Sequence, residues 1–229
     1  MKGAQLALAV QLRDTASFDS YFAGPNLDVV TALRELAQPL ALFGPKGSGR
    51  THLLQAACRE HRGAYLPLAA IAGENPELLA GFERARAVFI DDVDAVAARR
   101  DWCLALLRLL DALRSAGRPH ALAMNAAPER LLLALPDLRT RLNQCALFGL
   151  KPLDDDERAA LLRLRARHRG LDLPDEVTRW LLNTRSRDTG SLLDALDALD
   201  RAALSAKRRL TLALAQSVLG PADARTTPG

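Results

Sequence analysis

Aromatic side chains are scarce in this sequence. Phe, Trp and Tyr together make up 4% of the residues, whereas hydrophobic residues as a whole reach 49% and charged residues 25%. This is the balance of a globular protein with a real core, and that core must be built mainly from Leu, Ala and Val. A chain of 229 residues exceeds a typical single domain but is short for two large ones.

Cysteines and long apolar runs are also few. The three cysteines, Cys58, Cys103 and Cys145, are widely spaced and odd in number, which indicates neither a disulfide framework nor a metal knuckle. The apolar stretch at the start is too short and too interrupted for a signal peptide. No run approaches the roughly 20 apolar residues of a membrane helix. We therefore expect a cytoplasmic protein that does not contact a membrane.

Blocks of like charge are missing as well. The net charge is +4, and residues 151–229 hold 14 Lys or Arg against 12 Asp or Glu, so the charges nearly cancel. Such a chain carries no dedicated nucleic-acid arm. Its pI of 9.3 permits weak, salt-sensitive contact with DNA without arguing for it.

Apolar strands alternate with helices through the first two thirds of the chain. Helical spacing or composition indicates helices at 27–38, 52–62, 74–85, 101–116 and, in shorter pieces, at 128–135 and 136–142. The buried-strand pattern occurs at 39–44, 65–70, 87–94, 120–126 and 146–150. This alternation predicts an α/β subdomain over 18–151, a parallel sheet with helices on both faces. Residues 1–17 are predicted to form a mobile tail.

After Pro152 only helices are indicated. The segments 154–170, 174–185, 191–206 and 211–220 have helical patterns, and Leu192, Leu196, Leu199 and Ala203 form one apolar stripe. We expect a small helical subdomain over 152–219 and a disordered tail at 220–229.

A glycine-rich turn joins the first predicted strand to the following helix. Residues 44–51, GPKGSGRT, fit the phosphate-loop pattern G-x-x-x-x-G-K-[ST], except that Arg50 stands at the lysine position. The glycines and the helix N-terminus aim N–H groups at a phosphate, and Thr51 can offer its hydroxyl to Mg²⁺. The planar guanidinium of Arg50 differs from a compact ammonium, so binding should survive while hydrolysis suffers. Lys46 either substitutes for the lysine or is solvated.

The predicted nucleotide contacts within this turn and helix are Pro45, Gly47, Ser48, Gly49, Arg50, Thr51 and His52. A second part of the site follows about 40 residues later, where the apolar run VFI ends in two carboxylates. Asp91 is expected to hold Mg²⁺ together with Thr51, and Asp92 to orient or deprotonate an attacking water. The nucleotide is expected to be ADP or ATP.

These segments resemble a known family. GPKGSGRTHLLQAAC followed by VFIDDVD resembles the AAA+ module of the bacterial initiator DnaA, and still more the Hda family of DnaA regulatory inactivators, whose GRSHLL is close to GRTHLL here. The resemblance covers nearly the whole chain and implies an AAA+ sheet followed by a helical lid. The sequence ends where an initiator would continue into a DNA-binding domain, which favours a regulator.

The resemblance also implies site residues on either side of the loop. FDSYFAGPN is similar to the segment that cradles the base, which implies that Phe18, Tyr21 or Phe22 lies near adenine; core packing is the alternative for each. LPDLRTRLNQC resembles the family's LPDLxSRL and places Arg141 at the arginine-finger position. In an AAA+ assembly this residue acts in trans on a neighbour's nucleotide. Arg139 is its neighbouring rival.

Near the start, residues 5–10, QLALAV, resemble the hexapeptide with which Hda docks onto the β sliding clamp, Q-L-x-L-x-[L/F]. The resemblance implies a short extended segment in which one amide forms hydrogen bonds and apolar side chains fill a pocket. Its contact residues would be Gln5, Leu6, Leu8 and Val10. The alternative is a disordered start that matches by chance.

Two positions depart from the initiator pattern. Gly190 stands where the initiator has its sensor-two arginine, so that Arg185 or Arg187 could reach in instead. Sensor one would be Asn125, with Ala126 where an Asp is usual. Both departures indicate weak or no intrinsic ATP hydrolysis.

The resemblance therefore implies a regulator that, with the DNA-loaded clamp, stimulates ATP hydrolysis by a DnaA-type initiator and prevents re-initiation. Its partners would be the initiator and the clamp, with DNA contacted only through the clamp and a homodimer left open. An independent AAA+ ATPase of helicase-loader type is the main alternative. A P-loop nucleotide kinase and a binding adaptor with an empty loop are two further ones.

Overall fold

The chain folds into two compact units, and the boundary between them along the sequence lies between Lys151 and Pro152. The computed structural model describes residues 16–186, 188–206 and 208–220. Within these ranges no helix is long and apolar enough to span a bilayer.

The first unit contains a five-stranded parallel sheet with the order β2-β3-β4-β1-β5. Its strands are β1 Leu40–Phe43, β2 Ala64–Pro67, β3 Val88–Asp91, β4 His120–Met124 and β5 Ala146–Gly149. The register places Phe43 opposite both Met124 and Gly149. Because all strands run in the same direction, their carboxyl ends lie along one edge of the sheet and their amino ends along the other.

Successive residues of these strands point to opposite faces, and each face carries its own core. On one face Ile90 and Leu122 pack with Trp102, which is fully buried. On the other face Leu42 and Phe89 pack among apolar residues of the helices. The helices of this unit are α1 Leu27–Glu35, α2 Arg50–His61, α3 Leu68–Ile71, α4 Arg100–Ser115 and α5 Pro136–Asn143. A parallel sheet covered on both faces is what the alternating sequence pattern predicted.

Several predicted elements are wrong in detail. The helix expected at 74–85 is two short 3₁₀ turns, Pro76–Leu79 and Phe82–Arg84, separated by Gly81 in the left-handed region with φ of +98°. The strand expected at 65–70 ends at Pro67 and continues as α3. Of the helical segment expected at 128–135, only one 3₁₀ turn, Pro128–Arg130, forms.

The ends of the first unit also differ from the expected ones. Helix α1 stops before 38 because Leu36 adopts a left-handed conformation and donates its N–H to the Ala32 carbonyl. At the other end Ala16, within the predicted tail, is only 2% exposed, so the packed chain includes at least residues 16 and 17. The clamp-like segment at 5–10 lies outside the described residues.

The second unit consists of α6 Asp155–His168, α7 Asp175–Thr184, α8 Thr189–Ala206 and α9 Leu212–Leu219. Asp154 and Glu157 form a reciprocal capping box that starts α6. The predicted stripe on α8 is buried, and its three leucines pack with Leu162 and Leu181. Trp180 lies at the margin of this core, with the Arg185 guanidinium 5.5 Å from its ring centroid.

Candidate functional site

The predicted phosphate loop and the predicted acidic pair meet at the carboxyl edge of the sheet. The loop follows β1, the acidic pair closes β3, and Asn125 follows β4. The Gly44 N–H donates to the Met124 carbonyl at 3.3 Å, which joins the start of the loop to the end of β4. Open parallel sheets bind ligands at this edge, so the fold brings the two halves of the predicted site together.

The loop itself has the conformation of a phosphate cradle. Gly47 and Gly49 have φ of +82° and +93°, values that L side chains rarely adopt, and Gly49 caps α2, which begins at Arg50. Ser48 Oγ and Arg50 Nη1 are buried without a hydrogen-bond partner among the described residues. Two such polar atoms beside a helix N-terminus fit an anionic group. Thr51 is exposed beside them.

The segment before α1 packs directly against this loop. A Cβ atom added at Gly49 would lie 2.7 Å from Cε2 of Tyr21, and the Tyr21 ring lies 5.6 Å from that of His52. Burial raises the pKa of Tyr21 to about 12, so its phenol is neutral. From sequence, Tyr21 is one of three aromatic candidates for contact with adenine. In the structure its ring packs against the loop at Gly49.

His52 was predicted to bind the nucleotide, but its ring serves a protein contact. Its Nε2 lies 2.9 Å from the Ser17 carbonyl oxygen and 3.2 Å from Ser20 Oγ. The histidine therefore fastens the segment that carries Tyr21 onto α2. In this arrangement Nε2 faces the protein, and nucleotide binding by His52 stays a prediction.

The two other aromatic candidates, Phe18 and Phe22, have different surroundings in the fold. Phe18 is 7% exposed and packs with Val30 and Leu33 in the core, with the Arg34 guanidinium 4.9 Å from its ring centroid. The structure thus places Phe18 in the core, the alternative kept for it above, and its contact with adenine stays a prediction. Phe22 is half-buried, and its contact with a base stays a prediction.

Asp91 and Asp92 have different surroundings. Asp91 is 1% exposed; its Oδ2 accepts a hydrogen bond from the Tyr65 hydroxyl at 2.6 Å and its Oδ1 one from the Asp92 N–H at 3.0 Å. Burial first, and then the Asp91 charge, raise the pKa of Tyr65. Asp92 is half-buried and left-handed, with φ of +55°. Its pKa is raised by burial and then by Asp91 and Asp94, while Arg50 lowers it.

The predicted metal site is not preassembled in the described part of the chain, where no cluster of three His, Cys, Asp or Glu could hold an ion. The Thr51 hydroxyl and the remaining lone pairs of Asp91 are the oxygens that Mg²⁺ would use, which fits an ion held mainly by nucleotide phosphates and water. Binding of Mg²⁺ by Thr51 and Asp91 stays a prediction.

A carboxylate that sequence reasoning did not select lies in the same site. Asp94 Oδ1 is 3.8 Å from Arg50 Nη1 and accepts the Asn125 N–H at 2.8 Å. The third acid of VFIDDVD was the available signal. Asn125, the predicted sensor-one residue, therefore reaches the site at least through its backbone.

Arg141 lies at the opposite edge of the sheet. Its Nε donates to Asp111 Oδ1 at 2.5 Å and its Nη1 to Gln144 Oε1 at 2.8 Å. Gln144 also accepts a hydrogen bond from Arg114. Arg139, the rival, is directed elsewhere and donates to the Leu131 carbonyl at 3.0 Å.

Beside Arg141 is a cavity of about 290 Å³. Pro39, which directly precedes β1, and His120, which begins β4, line it, so it marks the amino ends of these strands. Arg114 and Arg118 also line the cavity. The cavity is thus rich in guanidinium groups and lies at the edge away from the phosphate loop.

The residues proposed for sensor two belong to the helical unit. Gly190 lies in the first turn of α8, and Arg185 donates to the Leu219 carbonyl at 2.6 Å and the Gly220 carbonyl at 3.1 Å. Arg185 is therefore bound within its own unit. Arg187, the other candidate, lies outside the described residues.

The comparisons with known proteins agree with this geometry. A family model described as "Hda, lid domain" matches residues 155–219. The helical unit is therefore similar to the lid domain of Hda. The expected Hda-like character of the chain is thereby confirmed.

Solved structures match the fold of nearly the whole chain. Domain III of the replication initiation protein DnaA from Thermotoga maritima has a TM-score of 0.79 at 20% identity, covering 92% of this chain and 98% of that one. AMPPCP-bound DnaA from Aquifex aeolicus has a TM-score of 0.68 at 19% identity, covering 81% and 65%. The Holliday junction branch migration motor RuvB of Thermotoga maritima has a TM-score of 0.66 at 16% identity, covering 91% and 72%. This Hda-like chain therefore has the AAA+ fold that DnaA and RuvB share.

Proposed function

We propose that this Hda-like chain is a regulator of replication initiation that binds a nucleotide and supplies Arg141 in trans to ATP held by a DnaA-type initiator. With the DNA-loaded β sliding clamp, it stimulates hydrolysis of that ATP and prevents re-initiation. The observation that carries the proposal is the position of Arg141, which lies at the sheet edge opposite to its own phosphate loop.

Distance makes this position informative. Strands of four or five residues, at about 3.3 Å per residue, separate the two edges of the sheet by roughly 13–16 Å. Asp111 and Gln144 also hold the Arg141 guanidinium beside the cavity at its own edge. Arg141 therefore cannot reach its own nucleotide, and a positive charge in this place suits the nucleotide of a neighbouring molecule.

The chain's own site is proposed to hold ADP or ATP with Mg²⁺. The Gly47 and Gly49 turn, the unpartnered Ser48 Oγ and the cation of Arg50 support phosphate binding, and DnaA of the same fold binds AMPPCP. A bound Mg²⁺ would neutralise phosphate charge, with Thr51 and Asp91 as its protein oxygens. Arg50 in place of lysine and Gly190 at the sensor-two position favour weak intrinsic hydrolysis.

Clamp docking is proposed for residues 5–10, with Gln5, Leu6, Leu8 and Val10 as its contacts. It rests on the sequence pattern and on the Hda lid, because these residues lie outside the described ones. The cytoplasm, where initiator and clamp act, is the compartment that this function requires. A homodimer and contact with DNA through the clamp belong to the same proposal.

Single-turnover hydrolysis of initiator-bound ATP, with clamp and DNA present, tests the central claim. Arg141→Ala is expected to lower the stimulated rate by about 10³-fold, because the arginine finger neutralises developing phosphate charge. Asp92→Asn is expected to leave the stimulation intact, since the ATP belongs to the partner. The reverse pattern, loss with Asp92→Asn and none with Arg141→Ala, would overturn the proposal. Arg139→Ala serves as the matched arginine control.

That reverse pattern would support the second candidate, an independent AAA+ ATPase of helicase-loader type. Asp92 favours it, because this half-buried carboxylate directly follows β3 at the same edge of the sheet as the phosphate loop, where a water-activating group is needed. Steady-state ATP turnover of the isolated protein separates the two functions. Turnover that Asp92→Asn abolishes would favour the ATPase.

A further inference from the structure

The cation of the phosphate loop is turned toward the acids of the sheet edge. The Arg50 side chain is 12% exposed, and its Nη1 lies 3.8 Å from Asp94 Oδ1. Nη1 is also buried without a hydrogen-bond partner among the described residues. The guanidinium therefore has a charged neighbour but an unfilled donor, an arrangement in which a better acceptor would be favoured.

Asp94 is held in place from its other side. Its Oδ1 accepts the Asn125 N–H at 2.8 Å, and its side chain is 23% exposed, so the carboxylate is largely protected from water. Of its two neighbouring acids, Asp91 already binds the Tyr65 hydroxyl and a backbone N–H. Asp94 is the carboxylate within ion-pair distance of Arg50.

We propose that Asp94 sets the nucleotide affinity of the phosphate loop by competing with the phosphate for Arg50. A phosphate in the cradle must draw the guanidinium away from Asp94, and the free energy of the broken pair is subtracted from binding. Phosphate is the stronger acceptor because it carries more charge and can take two N–H bonds from arginine, whereas Asp94 Oδ1 lies 3.8 Å from Nη1, outside hydrogen-bond distance. The inference rests on the nucleotide-binding part of the proposed function and concerns its strength.

Asp94→Asn tests this directly, because asparagine keeps an oxygen for the Asn125 N–H and removes only the charge. In isothermal titration of the full chain with ADP and Mg²⁺, we expect the variant to bind roughly three- to tenfold more tightly, as for release of one partly buried ion pair. In an Arg50→Ala background the same substitution should change the affinity less than twofold, since the residue that it releases is gone.

Asp101→Asn is the matched control. It also removes one negative charge, but from an exposed pair with Arg99, 2.7 Å away on the surface. Its ADP affinity should equal that of the wild type, and thermal melts should show all variants folded. Unchanged or weaker binding by Asp94→Asn would overturn the inference, as would an equal gain in the Arg50→Ala background, which would indicate a general field effect.

The outcomes also separate this inference from the proposed function. If neither the wild type nor Asp94→Asn binds ADP, nucleotide binding and the inference both fall. If the wild type binds but releasing Arg50 changes nothing, only the inference falls. A failure to stimulate the initiator would leave the titration result as it stands.

Discussion

The two edges of the sheet differ in charge and in how their charges are used. At the carboxyl edge, Asp94 lies within ion-pair distance of the Arg50 guanidinium, and Asp91 accepts hydrogen bonds from the Tyr65 hydroxyl and the Asp92 N–H. At the amino edge, Arg141 lies in an open cavity that two further arginines line. Under our proposals, the carboxyl edge binds a ligand once phosphate displaces protein contacts, whereas guanidinium groups line the cavity at the amino edge. The difference suggests one edge for the chain's own nucleotide and the other for a partner's.

The largest effect on the carboxyl edge is expected from Gly49→Ala. Its φ of +93° strains any L side chain, and the new Cβ would lie 2.7 Å from Tyr21 Cε2. We expect about 1–3 kcal/mol of destabilisation and a loss of ADP binding of at least about tenfold. Thermal melts and ADP titration measure the two effects.

Gly81→Ala is the matched control for this substitution. Gly81 has a φ of +98° but open space around its Cβ position, so it carries the same backbone strain without the collision. It should lose stability and keep its affinity for ADP. Equal loss of ADP binding by both variants would mean that general destabilisation explains the result, and that the contact between Tyr21 and Gly49 does not matter.

A smaller effect is expected at the amino edge from Asp111→Ala. The substitution removes the acceptor 2.5 Å from Arg141 Nε, so the guanidinium keeps its charge and its bond to Gln144 but loses one of the two contacts that orient it. We expect stimulation of initiator-bound ATP hydrolysis to fall about tenfold, with ADP binding unchanged. Asp101→Ala, on the same helix, is the control. An increase in stimulation would show instead that Asp111 withholds Arg141 from the partner.

The smallest effect is expected on thermal stability, from the carboxylate of Asp92 at the carboxyl edge. Burial and the neighbouring carboxylates raise the pKa of Asp92 above its ordinary value of 3.8, so the folded protein binds this proton more readily than the unfolded chain. The ionised Asp92 therefore lowers the free energy of unfolding at neutral pH. This loss disappears as the pH falls toward the pKa that Asp92 has in the unfolded chain. Asp92→Asn should raise the Tm at pH 7 and lose this advantage near pH 4. Asparagine also tolerates the left-handed backbone at this position.

A Tm advantage for Asp92→Asn that does not change with pH would assign the effect to the backbone. A lower Tm at pH 7 would contradict the raised pKa. Either result would contradict the inference that the carboxylates of Asp91 and Asp94 repel that of Asp92.

The strands and the phosphate loop could be predicted from sequence because their signals are local. Apolar runs such as VFI and the spacing of Gly44, Gly49 and Thr51 are contained in a few residues. The interruption at Gly81 could not be separated from a helix, because the surrounding segment has apolar residues at helical spacing and a glycine is tolerated there. The left-handed conformation of Leu36 could not be predicted either, because leucine is not a residue that favours it.

The roles of site residues depended on contacts between distant segments. His52 matched the family pattern for a nucleotide contact, but the serines that its ring meets lie before α1. Likewise, the pair between Arg50 and Asp94 joins a loop to a different strand end. The resemblance selected Arg141, while only the sheet showed that it lies opposite its own loop. Candidate site residues can therefore be selected from sequence, but their contacts become known only from the fold.

The distribution of tryptophan gives this chain a built-in optical reporter for each unit. Trp102 is fully buried in the first unit and Trp180 lies at the edge of the helical core, and the chain has no other tryptophan. With Trp102→Phe, the emission reports on the lid; with Trp180→Phe, it reports on the sheet. Denaturant curves of the two variants would therefore reveal whether ADP stabilises the whole chain or mainly the unit that holds the phosphate loop.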